Sequence, residues 1–237
     1  MTEYSRQNPS PRYIELLGYY REMHIQGSAE LNILPEKMFD RRSMPKHAGT
    51  IAKIIADFQA KTILDYGSGK GSQYGPLNLE TPRGETYPNM NSFWGVDTIT
   101  CYDPGYEPFS VLPDGLFDGV VSTDVLEHCP REDISWLLNE IFSYAKKFVY
   151  LNIACYPAGK TLPNGENAHC TVEDPQWWIE QLDPVIKRHP EPKFWLAFDV
   201  IKEDANGKRG IVTELMECKR AENAPGNHDI PPRIHLT

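Results

Sequence analysis

Long apolar runs, cysteine pairs and basic clusters are all missing from this 237-residue chain. No apolar stretch approaches the roughly 18 residues of a membrane-spanning helix. The opening MTEYSRQNPSPRY has no apolar core of the kind a secretion signal needs. The five cysteines, Cys101, Cys129, Cys155, Cys170 and Cys218, are scattered without a Cys-x-x-Cys pair, which speaks against a disulfide framework and against a thiolate zinc site. Lys plus Arg number 24 against 33 Asp plus Glu, a net charge of -9, and no basic block offsets it. Long duplex nucleic acid is therefore a poor partner, because its phosphates demand clustered cations. No internal repeat is present. The expectation is a soluble, cytoplasmic chain with one sizeable core, in no contact with a membrane.

What the chain does contain is an alternation of strand and helix signals. Residues 12–25 predict a helix carrying Tyr13, Leu16, Leu17 and Tyr20, and Ile51, Ile54, Ile55 and Phe58 mark a second at i, i+3, i+4, i+7 spacing. KTILDYGSG reads as a strand running into glycines, residues 72–92 as a long irregular loop, and FWGVDTITCYDP, FDGVVST and KFVYLNIAC as strands. Ile134, Leu137, Leu138, Ile141 and Phe142 mark another helix, and Asp174 with Pro175 a helix start. KFWLAFDVI and GIVTELMEC flank an Asn206-Gly207 pair, a hairpin signal. The predicted class is α/β: a Rossmann-like, mostly parallel sheet ending in an antiparallel hairpin. A helical appendage or lid over 1–44 precedes a core over 45–218, and a loose tail over 219–237 follows.

Asp65, Gly67, Gly69 and Gly71 place an acid and three glycines at the end of the first strand. Glycines there allow tight turning with positive φ and close approach of a ligand to bare backbone. The spacing departs from Gly-x-Gly-x-x-Gly, so a pyrophosphate-bearing dinucleotide is disfavoured. Asp-x-Gly-x-Gly-x-Gly resembles the first motif of class I S-adenosylmethionine-dependent methyltransferases. In that family the loop runs beneath the methionine part of S-adenosyl-L-methionine and the acid helps hold its amino group. Residues 112–133, LPDGLFDGVVSTDVLEHCPRED, are similar to the fourth-strand motif of the large subgroup that includes ubiquinone-biosynthesis enzymes. The resemblance spans about residues 45–218 and implies Ser68, Lys70, Thr123, Asp124 and Val125 as further cofactor contacts, with Gln73 beside them. It also implies a second acid for the ribose hydroxyls. Asp97 and Asp103 compete for that place, and Asp103, ahead of a turn at a strand end, is favoured. Too few residues separate Asp103 from Phe117 for a helix of about 11 residues and a strand, so the third strand is expected to be reduced or missing.

Asp124, Glu127, His128 and the distant His169 form the remaining cluster. One reading makes His169 or His128 a general base that takes a proton from a small-molecule acceptor. A second gives the four residues to a divalent metal, which resembles the RNA 3'-terminal 2'-O-methyltransferases, although Asp124 stands where those have Glu and the acidic charge opposes RNA. A third leaves LEH as a helix cap and His169 as a loop hydrogen-bonding residue. Arg41 and Arg42 could meet an anionic acceptor or simply face solvent. Trp177 and Trp178, adjacent on a helix, cannot both face a ligand, and Tyr19 and Tyr20 belong to a lid or pack the appendage onto the core. Outside methyl transfer stand a non-catalytic S-adenosylmethionine-binding protein and an NAD-dependent dehydrogenase.

Overall fold

The computed structural model describes residues 4–39, 43–76, 79–81, 84–217 and 235–236. In chain order the elements are α1 (Pro11–Gln26), α2 (Met44–Phe58), β1 (Thr62–Tyr66), β2 (Leu79–Glu80), β3 (Thr86–Tyr87), α3 (Met90–Trp94), β4 (Thr98–Tyr102), β5 (Phe117–Thr123), α4 (Ile134–Ser143), β6 (Ala145–Ala154), α5 (Pro175–Arg188), β7 (Lys193–Glu203), β8 (Arg209–Glu217) and β9 (His235–Leu236). Six of the strands form one sheet in the order β4-β1-β5-β6-β7-β8, parallel throughout except for β8, which runs antiparallel along the edge. This is the Rossmann-like α/β arrangement read from the sequence. β2, β3 and β9 make a small separate sheet. Among the described residues no helix is long and apolar enough to cross a membrane.

Apolar residues on successive positions of a strand point to opposite faces, so a continuous apolar run implies cover on both sides. That cover is present. Leu64, Val120, Val149, Leu151 and Leu196 pack under α4 and α5, whereas Ile63, Val121, Phe148, Tyr150 and Trp195 pack under α2 and α3. The stripe Ile51, Ile54 and Ile55 is buried as its spacing requires. Asp174 caps α5, accepting from the Trp177 N–H at 2.9 Å, with Pro175 at the first helical position. Trp178 is fully buried, and Trp177 lies half-buried beneath the Arg131 guanidinium, 4.8 Å from the ring centre.

Gly119 shows how tightly the centre is packed, since a Cβ there would sit 2.2 Å from the Phe148 ring, which is itself fully buried. Gly119→Ala is expected to destabilise the fold by about 3 kcal/mol, the upper end of overpacking costs. A urea titration monitored by circular dichroism checks this, and an unchanged midpoint would refute it.

The structure departs from the sequence reading in two places and meets it in a third. Phe93 and Trp94 belong to the short helix α3 rather than to a strand, because the Asn89 side chain caps that turn, accepting from Ser92 N–H at 2.9 Å. Residues 72–92 are less irregular than composition suggests, holding a 3-10 turn at Ser72–Tyr74, β2 and β3. Between β4 and β5 the described chain makes only a 3-10 turn, Glu107–Phe109, so β4 is the sheet edge and the third strand is missing as expected. The Asn206-Gly207 signal holds: the Gly207 N–H closes the turn onto the Asp204 carbonyl at 3.0 Å with φ 77°. Arg41, Arg42 and residues 219–234 lie outside the described residues.

Candidate functional site

The order of the strands reverses between β1 and β5, and in open α/β sheets ligands settle outside the carboxyl ends at such a switch point. A cavity of about 460 Å³ occupies that position, within the ~300–1,000 Å³ range of small-molecule sites. Its floor is made by the chain leaving β1, β4 and β5: Asp65, Gly67, Ser68 and Gly69, then Asp103 and Gly105, then Thr123, Asp124 and Val125. Its roof is one face of α1. Tyr13, Leu16, Leu17, Tyr20, Met23 and His24 recur at helical spacing and all line the cavity.

The roof is fixed by polar contacts at its start. Ser10 caps α1 by accepting from the Tyr13 N–H at 3.0 Å, and its own N–H and hydroxyl donate to the buried Asp133 carboxylate, the former at 3.0 Å. Upstream, the Arg6 guanidinium pairs with Glu140 and covers the Trp136 ring at 4.8 Å.

The glycine loop turns because Gly67, Gly69 and Gly71 adopt φ of 83°, 57° and 63°. Gly67 and Ser68 both donate backbone N–H bonds to the Tyr102 carbonyl, at 2.7 and 3.0 Å, which ties the loop to β4. Gly67 is also the closest approach of two floor segments, since a Cβ there would lie 2.4 Å from Val125 Cγ2. Beyond the loop comes a single 3-10 turn, Ser72–Tyr74, and no α-helix follows before Met90 among the described residues. The loop therefore lacks the helix N-terminus that stabilises a pyrophosphate.

Two acids flank it. Asp65 is 1% exposed, and its Oδ2 accepts from Gln73 Nε2 at 2.9 Å and the Tyr74 hydroxyl at 2.8 Å. Burial pushes its carboxyl up to about 7, against the downward pull of those two hydrogen bonds, and the nearby Asp103 adds to the rise. Asp103 Oδ2 accepts from Gly69 N–H and Oδ1 from Gly105 N–H, each at 2.8 Å, and burial raises its carboxyl too. Asp65 Oδ1 and both Asp103 oxygens keep a lone pair for a further donor. Among the described residues neither acid forms an ion pair.

Across the cavity, Asp124 leaves β5 with φ 61°, a left-handed conformation that aspartate tolerates better than most residues. His128 ends a 3-10 turn, Leu126–His128, and its Nδ1 lies 2.9 Å from the Ala168 carbonyl oxygen and 2.8 Å from the Tyr20 hydroxyl. His169 Nδ1 lies 2.6 Å from the Tyr156 carbonyl oxygen, and its Nε2 is 3.9 Å from Asp124 Oδ1. Glu127 points away from the cavity into the core, where its Oε1 accepts from the Ala154 N–H at 2.7 Å and desolvation pushes its carboxyl well up.

Most residues singled out from the sequence thus converge: Asp65, Gly67, Ser68, Gly69, Asp103, Thr123, Asp124, Val125, His128 and His169 share one cavity. Besides Glu127, three of the cofactor candidates do not line it. Asp97 lies exposed before β4, its N–H bonded to the Lys61 carbonyl at the amino ends of the strands, so it is on the wrong side of the sheet for a ligand. Gly71 faces Phe109 and Cys101. Lys70 turns outward, where its ammonium donates to the His24 carbonyl at 3.1 Å above the Tyr106 ring.

The sequence reading missed His24, Phe39 and Tyr156, which complete the walls. His24 is 7% exposed between Phe39 and Tyr106, at ring distances of 4.6 and 5.0 Å. Burial, with the Lys70 charge second, pushes its imidazole down to about 4, so the ring is neutral. None of the three belongs to a motif, and only the pairing of α1 with distant loops brings them in.

No family model and no curated protein matches the chain. A solved structure described as a DhpI–SAH complex overlays with a TM-score of 0.34 at 14% identity, covering 86% of this chain and 81% of that one. That overlay is too loose to bear on function.

Proposed function

We propose that the protein is an S-adenosyl-L-methionine-dependent methyltransferase acting on a small-molecule acceptor beneath α1. The observation that carries this reading is the pair of acids, Asp65 and Asp103, flanking a glycine loop that, among the described residues, has neither an α-helix directly following nor a cation paired with the acids. Keeping carboxylates buried and unpaired is costly, and a cationic ligand relieves that cost. Asp65 is placed to hold the ligand's ammonium, and Asp103, already braced by two backbone N–H groups, to accept from ribose hydroxyls. Gly67, Ser68 and Gly69 offer bare backbone between them. His24 contributes a neutral edge near Asp103, its Nδ1 unpartnered among the described residues.

The donor, when bound, supplies a methyl carbon on a sulfonium, whose C–S electron pair returns to sulfur as the acceptor's lone pair takes the carbon. The chain's own contribution is alignment and the exclusion of water by the α1 roof, which together account for much of the acceleration in such displacements. The acceptor's place is the side lined by Tyr13, Tyr20, Asp124, His128 and His169.

Calorimetric titration with S-adenosylmethionine, S-adenosylhomocysteine and NAD tests the donor. The expected result is binding of the first two and none of NAD, and NAD binding without either would sink the reading in favour of a dehydrogenase. Formation of S-adenosylhomocysteine with a panel of small hydroxyl- and amine-bearing acceptors separates catalysis from mere binding.

A further inference from the structure

β8 ends the six-stranded sheet, and among the described residues no strand lies beyond it. An edge strand offers a row of N–H and C=O groups to any chain able to pair with it, and natural edges are blunted by proline, a bulge or short length. β8 has none of these. It runs nine residues, Arg209–Glu217, without proline and in unbroken register with β7. The turn sets the phase of that ladder. The Asp204 N–H donates to the Lys208 carbonyl at 3.0 Å, which makes these two a hydrogen-bonded pair. Hydrogen-bonded and non-hydrogen-bonded pairs alternate along an antiparallel ladder, and Lys202↔Gly210, Val200↔Val212 and Phe198↔Glu214 follow in the bonded phase. Ile211, Thr213 and Leu215 therefore turn their own N–H and C=O outward, away from β7.

The side chains of the outward-turned residues share one face, since they alternate with those of Val212 and Glu214. Along that face the order is Arg209, Ile211, Thr213, Leu215, Glu217. Ile201, opposite Ile211 on β7, continues the apolar row, and the three apolar side chains are 52%, 46% and 43% exposed for Ile201, Ile211 and Leu215. The order is symmetric in its chemistry about Thr213, with an apolar residue on either side, a cation at one end and an anion at the other. A two-fold axis through Thr213 lays a second β8 antiparallel to the first, with Ile211 opposite Leu215, Thr213 opposite its own copy and Arg209 opposite Glu217. Moving the axis to Val212 sets Arg209 against Leu215. Moving it to Glu214 sets that carboxylate against its own copy and Ile211 against Glu217. Of these registers only the one at Thr213 matches apolar to apolar and charge to opposite charge. Arg209 is available for the exchange, because its contact with Glu203, 3.6 Å between two exposed side chains, is of the kind that holds weakly.

We infer that β8 is a homodimer interface, with a second copy of this chain joined strand to strand in the Thr213 register so that the two sheets become one. The pairing is isologous, as closed dimers require. It supplies about ten ladder hydrogen bonds, two for each bonded pair, and carries the row Ile201, Ile211 across the axis onto Leu215 and Ala197 of the second copy. β8 lies at the opposite side of the sheet from β4, β1 and β5, where the cavity sits. The inference consequently does not depend on the methyl-donor reading, and the dimer leaves both cavities open.

Sedimentation velocity of the full chain across a range of concentrations is expected to show a monomer–dimer equilibrium. Arg209→Glu sets like charges opposite one another on both sides of the axis and should weaken dimerisation about tenfold to a hundredfold. Glu217→Arg should do the same. The double variant Arg209→Glu/Glu217→Arg should recover the affinity of the unsubstituted chain, because in this register the two positions face each other. Leu215→Lys, a charge of the type that guards natural edges, should leave a monomer. All these positions are exposed, and circular dichroism verifies that each variant is folded. Residue-resolved amide exchange should slow at Ile211, Thr213 and Leu215 as concentration rises and stay constant at Val212 and Glu214, already bonded to β7. A monomer at every concentration, a dimer indifferent to Leu215→Lys, or a double variant that fails to recover would each overturn the inference. So would a monomer whose outward amides are protected, since the chain's own continuation after β8 would then occupy the edge.

Discussion

Asp65→Asn is expected to make the ligand-free protein more stable at pH 8 while strongly weakening the binding of S-adenosylmethionine proposed above. In the folded chain the carboxyl sits at about 7, raised from 3.8 by burial. A raised acid is a proton the folded state holds more tightly than the unfolded one. Its stabilising contribution is fully present below the unfolded value near 4, and it is lost as pH rises through about 7. At pH 8 the ionised, buried carboxylate opposes folding by about 4 kcal/mol at ~1.4 kcal/mol per unit. A neutral amide of the same shape removes that opposition in part, giving a gain of about 2 kcal/mol once its imperfect hydrogen bonds to Gln73 and Tyr74 are counted. Donor affinity should fall by about 100-fold or more, the usual consequence of removing one partner from a buried charge pair. In the unsubstituted protein, affinity should weaken as pH drops below about 7 and Asp65 takes up its proton. Thermal melts and calorimetry at pH 6 and 8 check both signs. A destabilised variant that still binds would show that Asp65 is merely a packed turn residue.

His169→Ala should lower kcat roughly a thousandfold, within the ~10²–10⁴-fold that a positioned proton acceptor contributes, with the affinity for S-adenosylhomocysteine kept within a few-fold. The split follows from position. Asp65, Gly69 and Asp103 gather at the ends of β1 and β4, whereas His169 arrives from the loop between β6 and α5 and touches Asp124 and Tyr156. A variant losing donor affinity and turnover in equal measure would mean that the imidazole shapes the whole cavity. The readouts are single-turnover formation of S-adenosylhomocysteine and equilibrium binding.

Periodicity carried the sheet and its helices: the Ile51, Ile54, Ile55 stripe and the apolar runs of β5 and β6 each require two-sided cover, and each has it. The glycine loop was legible because positive φ nearly demands glycine. The placement of Asp103 in the crevice and of Asp97 outside it was also legible, since only a residue after a strand's carboxyl end can face the crevice. Other features were not. The left-handed turn at Asp124 leaves no glycine to mark it. The burial of Glu127, which takes it out of any ligand set, depends on where β6 places the Ala154 N–H. The contributions of His24 and Phe39 follow from docking α1 and the segment after it against loops as far off as Tyr106 and Lys160, and no local pattern encodes that distance. Lys70, inside the motif yet turned outward, shows the reverse error: sequence neighbours of a loop glycine need not share its face.

The α1 roof has a consequence for how the pocket comes together. Its Tyr20 hydroxyl finds the Ala168 carbonyl 148 positions later. The roof and the wall beside His128 are therefore assembled from both ends of this span, over a floor from its middle. No amino-terminal fragment stopping short of β6 and the loop after it contains the pocket, and no fragment lacking α1 retains its cover.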